Sequence, residues 1–214
     1  MENGFSIENI INDFTAYIQK QHPVSSSELP NIDLYMDQVT TFMEEHLEHC
    51  KRYPDDKILT KTMINNYAKN RLLPPPDKKK YSKDHMLFLV FIYYFKNILS
   101  ISDIQTLLGP MTERYFKNDS GKDMTWLYNE IMDKEPAQSL RVAEDISQLA
   151  ENAKSFFDDA PADEQEYLQL LSIIALLSYD VYQKKQLIEK LIDSYPFPEP
   201  ANLKKEKTKK IKEK

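Results

Sequence analysis

Apolar residues recur at helical spacing along most of this chain. In the segments Ile7–Gln19 and Leu34–Leu47 they fall three or four positions apart. Such spacing collects apolar side chains on one face of a helix, so both segments are predicted to be amphipathic helices. The pattern breaks at His22-Pro23 and again at Tyr53-Pro54, because proline cannot continue a helix.

A third helix is predicted over Thr60–Arg71, with the Thr60 hydroxyl as its N-terminal cap and the prolines from Pro74 as its end. After a short basic connector, the segment Met86–Phe95 is apolar on every side. A helix with that pattern has no polar face to turn towards water, so it is predicted to be buried on most sides.

The second half of the chain also has helical spacing. Ser100 with Asp103 is typical of a capping box, which predicts a short helix ending near Gly109-Pro110. Two long helices are predicted beyond it, over Ala137–Asp158 and Asp163–Tyr195. In the first of them, small and apolar residues form the seam of a close-packed helix pair: Ala143, Ile146, Ala150, Ala153 and Phe157. The chain is therefore predicted to have an all-α fold.

The amino-acid composition argues against several classes of protein. With 3 glycines in 214 residues, turns that need a positive φ are expected to be scarce, and the glycine-rich phosphate loops of nucleotide-binding proteins are absent. One cysteine cannot form an intrachain disulfide, and the first residues lack the pattern of a secretory signal, so a cytoplasmic location is expected. The longest apolar run is half of what a bilayer requires, so no membrane association is expected.

Charge is segregated along the chain, whose net charge is -6. The segment Lys51–Lys83 has ten basic and three acidic residues, a local charge of +7, and the tail from Ala201 has a charge of +5. The rest of the chain is strongly acidic. A local basic patch on an acidic molecule is typical of a surface that meets phosphate.

One helix within the basic segment carries a pattern suited to DNA. Residues Thr62, Asn65, Asn66 and Lys69 share one helix face, opposite Ile64 and Tyr67. An asparagine amide pairs with the N6 and N7 edge of adenine in the major groove, and the neighbouring cations, Lys61 and Arg71 among them, can neutralise phosphates. The alternative interpretation of the same spacing is an ordinary solvated surface helix.

The run KTMINNYAKNRLLPP followed by KKKYSKDHM resembles the recognition helix and following segment of MerR-type regulators. The stretch from about Leu34 to Leu108 further resembles the bacterial domain-of-unknown-function family 1836, through its INNY, LLPPP, KKKYS and LSISDI motifs. The connector HCKRYPDDKIL is longer than the tight turn of such regulators, and the segment after the prolines is shorter than their wing.

The resemblance implies a winged helix-turn-helix. In it Met36–Leu47 is the supporting helix, Thr60–Arg71 enters the major groove, and Pro76–Tyr81 is a wing against the DNA backbone. The implied domains are 1–30, an N-terminal helix and linker; 31–110, the DNA-binding domain; 111–200, a C-terminal helical hairpin or small bundle; and 201–214, a basic disordered tail. The predicted DNA-binding residues are Thr60, Lys61, Thr62, Asn65, Asn66, Lys69, Arg71, Lys78, Lys79, Lys80, Tyr81 and Lys83.

Residues suited to other chemistry occur together in one short segment. His46, His49 and Cys50 have a spacing that could present metal ligands on one helix face, but a structural site usually needs four ligands, so a solvated face is the favoured interpretation and no metal is predicted. Cys50 beside Lys51 and Arg52 could be a redox thiol with a lowered pKa. Motifs of hydrolases and metalloproteases are absent from the sequence, so neither an enzyme nor a cofactor is predicted.

The predicted partners are double-stranded DNA, a second copy of the chain, and a small-molecule effector bound in the C-terminal half. Dimerisation is expected through the C-terminal helices, because of the alanine seam and the apolar segment Leu170–Leu177. The competing function is a helical protein-interaction module, in which the basic segment binds an acidic protein surface instead of DNA.

Overall fold

The computed structural model describes residues 6–197 and divides into two compact units. Among the described residues, unit A comprises Ser6–Pro23 together with Glu130–Leu187, and unit B comprises Val24–Asn129 together with Ile188–Phe197. The predicted helical fold is confirmed, with the addition of one small sheet. Between residues 6 and 197, no helix is long and apolar enough to cross a membrane. The predicted basic tail, 201–214, lies outside the described residues.

Eight α-helices and two short strands are formed between residues 6 and 197. In chain order they are α1 (Ile7–Lys20), β1 (Leu34–Tyr35), α2 (Met36–Leu47), α3 (Lys61–Lys69), β2 (Lys80–Tyr81), α4 (Lys83–Phe95), α5 (Ile101–Tyr115), α6 (Met124–Met132), α7 (Glu135–Ala153) and α8 (Ala162–Ser194). A 3₁₀ turn, Glu48–Cys50, follows α2 directly.

Helix α4 forms the centre of unit B. Every residue from His85 to Tyr93 is buried, as its apolar sequence predicts. The helix begins after Ser82, whose backbone N–H donates to Nδ1 of His85 at 3.0 Å, so the first turn is capped from within. Burial of so many large side chains is the main source of stability in this unit, because each one removes apolar surface from water.

Strands β1 and β2 pair in antiparallel register, with Leu34 opposite Tyr81 and Tyr35 opposite Lys80. The alternation of a strand sends Leu34 and Tyr81 into the core and leaves Tyr35 exposed. This sheet ties the segment before α2 to the segment before α4. The two helices predicted as a helix-turn-helix, α2 and α3, therefore lie between two strands that pair with each other.

Unit A is built on the packing of α1 against α7. The predicted alanine seam lies inside this unit, since Ala143 and Ala153 are almost fully buried and small side chains let two helices approach closely. Phe157 was predicted to extend that seam, but α7 ends at Ala153. Phe157 instead lies in the following turn, where it has a φ of 60° and is exposed.

Two boundaries differ from the predicted ones. Helix α5 was expected to end near Gly109-Pro110, but it continues to Tyr115. Pro110 removes only its own backbone donor, so the helix continues through it although one hydrogen bond, to the Thr106 carbonyl, is lost. Helix α6 was not predicted, and its Tyr128 hydroxyl donates to the carbonyl of Val24 at 2.5 Å. Unit B consequently extends to Asn129 rather than to Pro110.

Candidate nucleic-acid interface

Helix α3 has the two faces that its sequence predicts. The Thr60 hydroxyl accepts a hydrogen bond from the backbone N–H of Met63 at 3.1 Å, which starts the helix at Lys61. Ile64 is completely buried and holds the helix to unit B. The four polar residues of the predicted outer face are all exposed: Thr62, Asn65, Asn66 and Lys69. The polar side chains of this face are therefore accessible to water.

The end of α3 holds Arg71 in an unusual backbone conformation. Arg71 has a φ of 58°, a position after a helix that glycine usually occupies because it has no Cβ. The next N–H groups, of Leu72 and Leu73, donate to the carbonyl of Tyr67 at 2.9 and 3.3 Å, and both leucine side chains are buried. Burial of these two neighbours compensates for the strain and keeps the Arg71 guanidinium exposed.

The predicted wing is a tight hairpin, here called the basic hairpin, formed by residues 77–80. Asp77 and Lys80 exchange two backbone hydrogen bonds, of 2.8 and 3.1 Å. The two central residues, Lys78 and Lys79, have φ values of 47° and 66°. Positive φ at both positions fits a type I′ turn, in which asparagine and glycine are favoured. Two exposed lysines therefore occupy the tip of the turn despite the steric preference for other residues.

Positive φ in the described chain is adopted mostly by residues other than glycine. The non-glycine residues with positive φ in the described chain are Arg71, Lys78, Lys79, Lys117 and Phe157. Four of these five are basic, and three lie in the segment Lys51–Lys83. The chain places cations at the tips of turns where a glycine would be less strained.

The remaining predicted residues differ in their accessibility. Lys61 is exposed but its ammonium forms an ion pair with Asp37. Lys83 is half-buried, and Lys80 is half-buried with its ammonium 5.1 Å from the centre of the Tyr35 ring. Tyr81 is a correction to the predicted set. Only 3% of it is exposed, because strand alternation points it into the core, where its ring lies edge-on to His85.

The long connector between α2 and α3 is fixed to α2 and to the end of α4. The Ile58 backbone N–H donates to the Glu44 carboxylate at 3.4 Å, and the Lys96 ammonium donates to the Ile58 carbonyl at 2.8 Å. Ile58 and Leu59 are buried beside them. A hydrogen bond from Lys51 keeps the pKa of Glu44 below its usual value, so the carboxylate stays charged. The connector therefore gives α3 a defined start.

His85 is buried next to the basic hairpin. Its Nδ1 accepts from Ser82, so Nε2 carries the proton and is 3.4 Å from the carbonyl of Pro75. The rings of Tyr81 and Phe116 lie edge-on to that of His85. Desolvation lowers the pKa of His85 below its usual value, which favours the neutral form.

The residues considered as metal ligands do not share one helix. α2 ends at Leu47, so His49 and Cys50 belong to the 3₁₀ turn, while the His46 ring stacks on Phe42 at 3.8 Å. Across residues 6–197, no three His, Cys, Asp or Glu side chains form a group suited to a metal. The suggestion of a lowered thiol pKa is wrong, because desolvation raises the pKa of Cys50 and Lys51 is paired with Glu44.

Sequence reasoning missed the residues that position α3 from a distance. The Gln105 amide donates to the Asn70 carbonyl at the end of α3, at 2.6 Å, and Lys96 holds the connector before it. Both contacts join residues more than 30 positions apart. No local spacing signals such pairs, since they depend on the packing of α4 and α5.

Unit A contains a cavity of about 380 Å³. Its wall is partly apolar, including Ile11 and Ile173, and partly charged, including Glu151 and Glu166. The Lys154 ammonium lies 2.8 Å from Glu151 and 3.7 Å from Glu8 on the same wall. The volume is within the usual range for small-molecule sites.

The comparisons with known proteins identify a family but no function. Residues 24–131, about half of the chain, match the family described as Domain of unknown function (DUF1836). No curated protein and no solved structure matches the chain. The matched range begins at the first residue of unit B and ends within α6, close to the last residue before unit A resumes. The chain therefore belongs to the DUF1836 family.

Proposed function

We propose that unit B binds double-stranded DNA and that the protein is a sequence-specific transcriptional regulator with a MerR-like winged helix-turn-helix. In this proposal α2 supports α3, α3 enters the major groove, and the basic hairpin contacts the phosphate backbone. The observation that carries the proposal is the outer face of α3. Its amides and its lysine are exposed, while the buried Ile64 and the capped first turn hold the helix rigidly from below.

The chemistry of that face fits base recognition. The amides of Asn65 and Asn66 each offer a donor and an acceptor, which is the pattern that adenine presents in the major groove. A rigid helix keeps the amides in a defined orientation, so the wrong base leaves a polar group unpaired. Discrimination of about 1–3 kcal/mol per base is expected for such a contact.

The exposed cations of unit B are suited to contacts with the phosphate backbone of DNA. Arg71, Lys78 and Lys79 are exposed, Arg71 just after α3 and the two lysines at the tip of the basic hairpin. Cations at such tips can approach phosphates without desolvating the core. Lys61 is expected to contribute less than these three, because Asp37 already pairs with it.

The unit A cavity is the site at which we place the predicted small-molecule effector. Its mixture of apolar and charged lining suits a small organic molecule. We assign the chain no catalytic activity, since the proposed function needs binding alone.

A competition experiment tests DNA binding. The purified chain is titrated against a labelled duplex from its own upstream region, in the presence of an unlabelled random duplex and at fixed salt. A preference for the upstream duplex is expected. Asn65→Ala or Asn66→Ala should cost about 1–3 kcal/mol on the preferred site and relax its sequence preference.

Two controls make the result specific. Lys69→Ala should weaken binding to all duplexes similarly and lower the salt dependence by about one counterion, as expected for a phosphate contact. Asn152→Ala, an exposed asparagine of unit A, should change nothing. If the wild-type chain binds the upstream and random duplexes equally, the protein is better described as a helical interaction module.

A further inference from the structure

Tyr35 is a large exposed side chain on the two-stranded sheet. It is 54% exposed, whereas Leu34 and Tyr81, which pair with each other, are buried. The backbone of Tyr35 is held by two contacts, because it pairs with Lys80 in the sheet and its N–H donates to the side chain of Gln38 at 2.9 Å. A fixed backbone therefore presents this ring to water.

The ring of Tyr35 lies beside the basic hairpin. The Lys80 ammonium is 5.1 Å from the centre of the ring, which is within the range of a cation–π contact. Such a contact uses the face of the ring and does not involve the hydroxyl at its edge. A hydroxyl and a cation are therefore neighbours on one side of the sheet.

Tyr35 is also close to the start of α3. Asp37 follows it by two residues and is exposed, and the Asp37 carboxylate forms an ion pair with the ammonium of Lys61, the first residue of α3. Tyr35 therefore lies near both elements that the proposed function assigns to DNA. It contacts the basic hairpin directly, and it is linked to α3 through the Asp37–Lys61 ion pair.

We propose that Tyr35 is a further DNA-contacting residue, whose hydroxyl donates a hydrogen bond to a phosphate oxygen between the basic hairpin and α3. This inference rests on the proposed DNA binding of unit B and adds a neutral donor to its cations. Tyrosine hydroxyls contact phosphate in protein–DNA complexes, and a hydrogen bond to a charged oxygen is stronger than one between neutral groups. Contacts to phosphate carry no sequence information, so this one should strengthen binding to every duplex alike.

The alternative role of Tyr35 is structural, as a ring that packs against Lys80. Tyr35→Phe separates the two roles, because it keeps the ring and removes the hydroxyl alone. In a titration with random duplex DNA, this variant should bind about 10-fold more weakly than the wild type. The salt dependence of binding should be unchanged, since no cation is lost. Thermal unfolding should also be unchanged, and a destabilised variant with unaltered affinity would support the structural role and overturn the proposal.

Tyr53→Phe is the matched control. Tyr53 is 56% exposed, and the Arg52 guanidinium is 5.1 Å from the centre of its ring, so its surroundings resemble those of Tyr35. It lies in the connector, close to Lys51, which is paired with Glu44 in the second half of α2. Loss of its hydroxyl should leave DNA affinity unchanged. Equal weakening by both variants would overturn the proposal, because the effect would then not belong to the sheet.

A second variant tests the same surface by a gain of binding. Asp37→Asn removes a negative charge two residues from Tyr35 and releases Lys61 from its ion pair. Affinity for the random duplex should rise about 5-fold, and the salt dependence should increase by about one counterion. An unchanged affinity would show that this side of the sheet does not meet DNA, and the proposal would be wrong.

The wild-type chain distinguishes this inference from the proposed function. A wild-type chain that binds neither the upstream nor the random duplex would contradict both. If the wild type binds DNA and Tyr35→Phe binds equally well, the proposed function stands and the Tyr35 contact alone is wrong. The test does not need sequence preference, because a phosphate contact acts on any duplex.

Discussion

Helices α4 and α8 are both rich in large apolar residues, yet the fold covers only one of them. Nine of the 13 residues of α4 are buried, whereas nine large apolar side chains of the 33-residue α8 are exposed. α4 is buried by other elements of unit B. In the part of α8 that belongs to unit A, Ile173 is buried.

This difference separates two kinds of surface. Unit B uses its apolar residues internally, so the side chains left on α3 and the basic hairpin are polar and cationic, as a surface that meets nucleic acid requires. Unit A leaves apolar groups on α8, and a surface of that kind is typical of contact with another protein. The predictions below test this contrast, beginning with the largest expected effect.

The first prediction compares one buried and one exposed apolar residue. Phe88→Ala in α4 should lower the free energy of unfolding by about 3–5 kcal/mol, because Phe88 is fully buried and its loss leaves a cavity. Ile174→Ala in α8 should change it by less than about 0.5 kcal/mol, because Ile174 is already 53% exposed. Urea unfolding at low protein concentration measures both values. Similar losses for the two variants would contradict the contrast.

The second prediction concerns how the free energy of unfolding depends on pH, because His85 is buried near the start of α4. Desolvation lowers the pKa of His85 below its usual 6.5. Below pH 6.5 the unfolded chain therefore binds a proton that the folded chain does not, and stability falls as the pH falls, by up to about 1.4 kcal/mol per pH unit.

His85→Gln isolates this effect, since a glutamine at the same position can still accept the Ser82 N–H in a capping box. Urea midpoints at pH 7.5 and 5.5 should differ more for the wild type than for the variant. Asp84, whose pKa is raised by burial, is present in both proteins and does not affect the comparison. An identical pH dependence in the two proteins would show that His85 is not the group responsible.

The third prediction separates stability from binding at the basic hairpin. The double substitution Lys78→Asn and Lys79→Gly supplies the residues that a type I′ turn favours, so the free energy of unfolding should rise by about 1 kcal/mol. DNA affinity should nevertheless fall, because two phosphate-directed cations are lost. Thermal unfolding and the duplex titration provide the two measurements. A stabilised variant with undiminished affinity would remove the hairpin from the proposed interface.

Local sequence was sufficient for much of α3. The Thr60 cap, the inward Ile64 and the outward Asn65 follow from helical periodicity and a hydroxyl at the right position. The long last helix was also predicted to within one residue at each end. These features depend on neighbours within one or two turns, so they can be read from the sequence alone.

Other parts of the candidate interface depended on distant contacts. Lys61 is paired with Asp37, 24 positions away, and Tyr81 is buried because β2 pairs with β1. The turn after α3 and the turn of the basic hairpin were not predicted either. Arg71, Lys78 and Lys79 adopt backbone angles there that glycine would favour. Their neighbours compensate for that strain only in the folded unit.

By itself, the sequence determined the helical class, the amphipathic faces and the placement of positive charge, because these properties arise from side chains close together along the chain. Tertiary structure decided which apolar face is covered, which cations are already paired and where α5 and α7 end. Those outcomes depend on burial, and burial is decided by which segments, distant in sequence, the whole chain brings into contact.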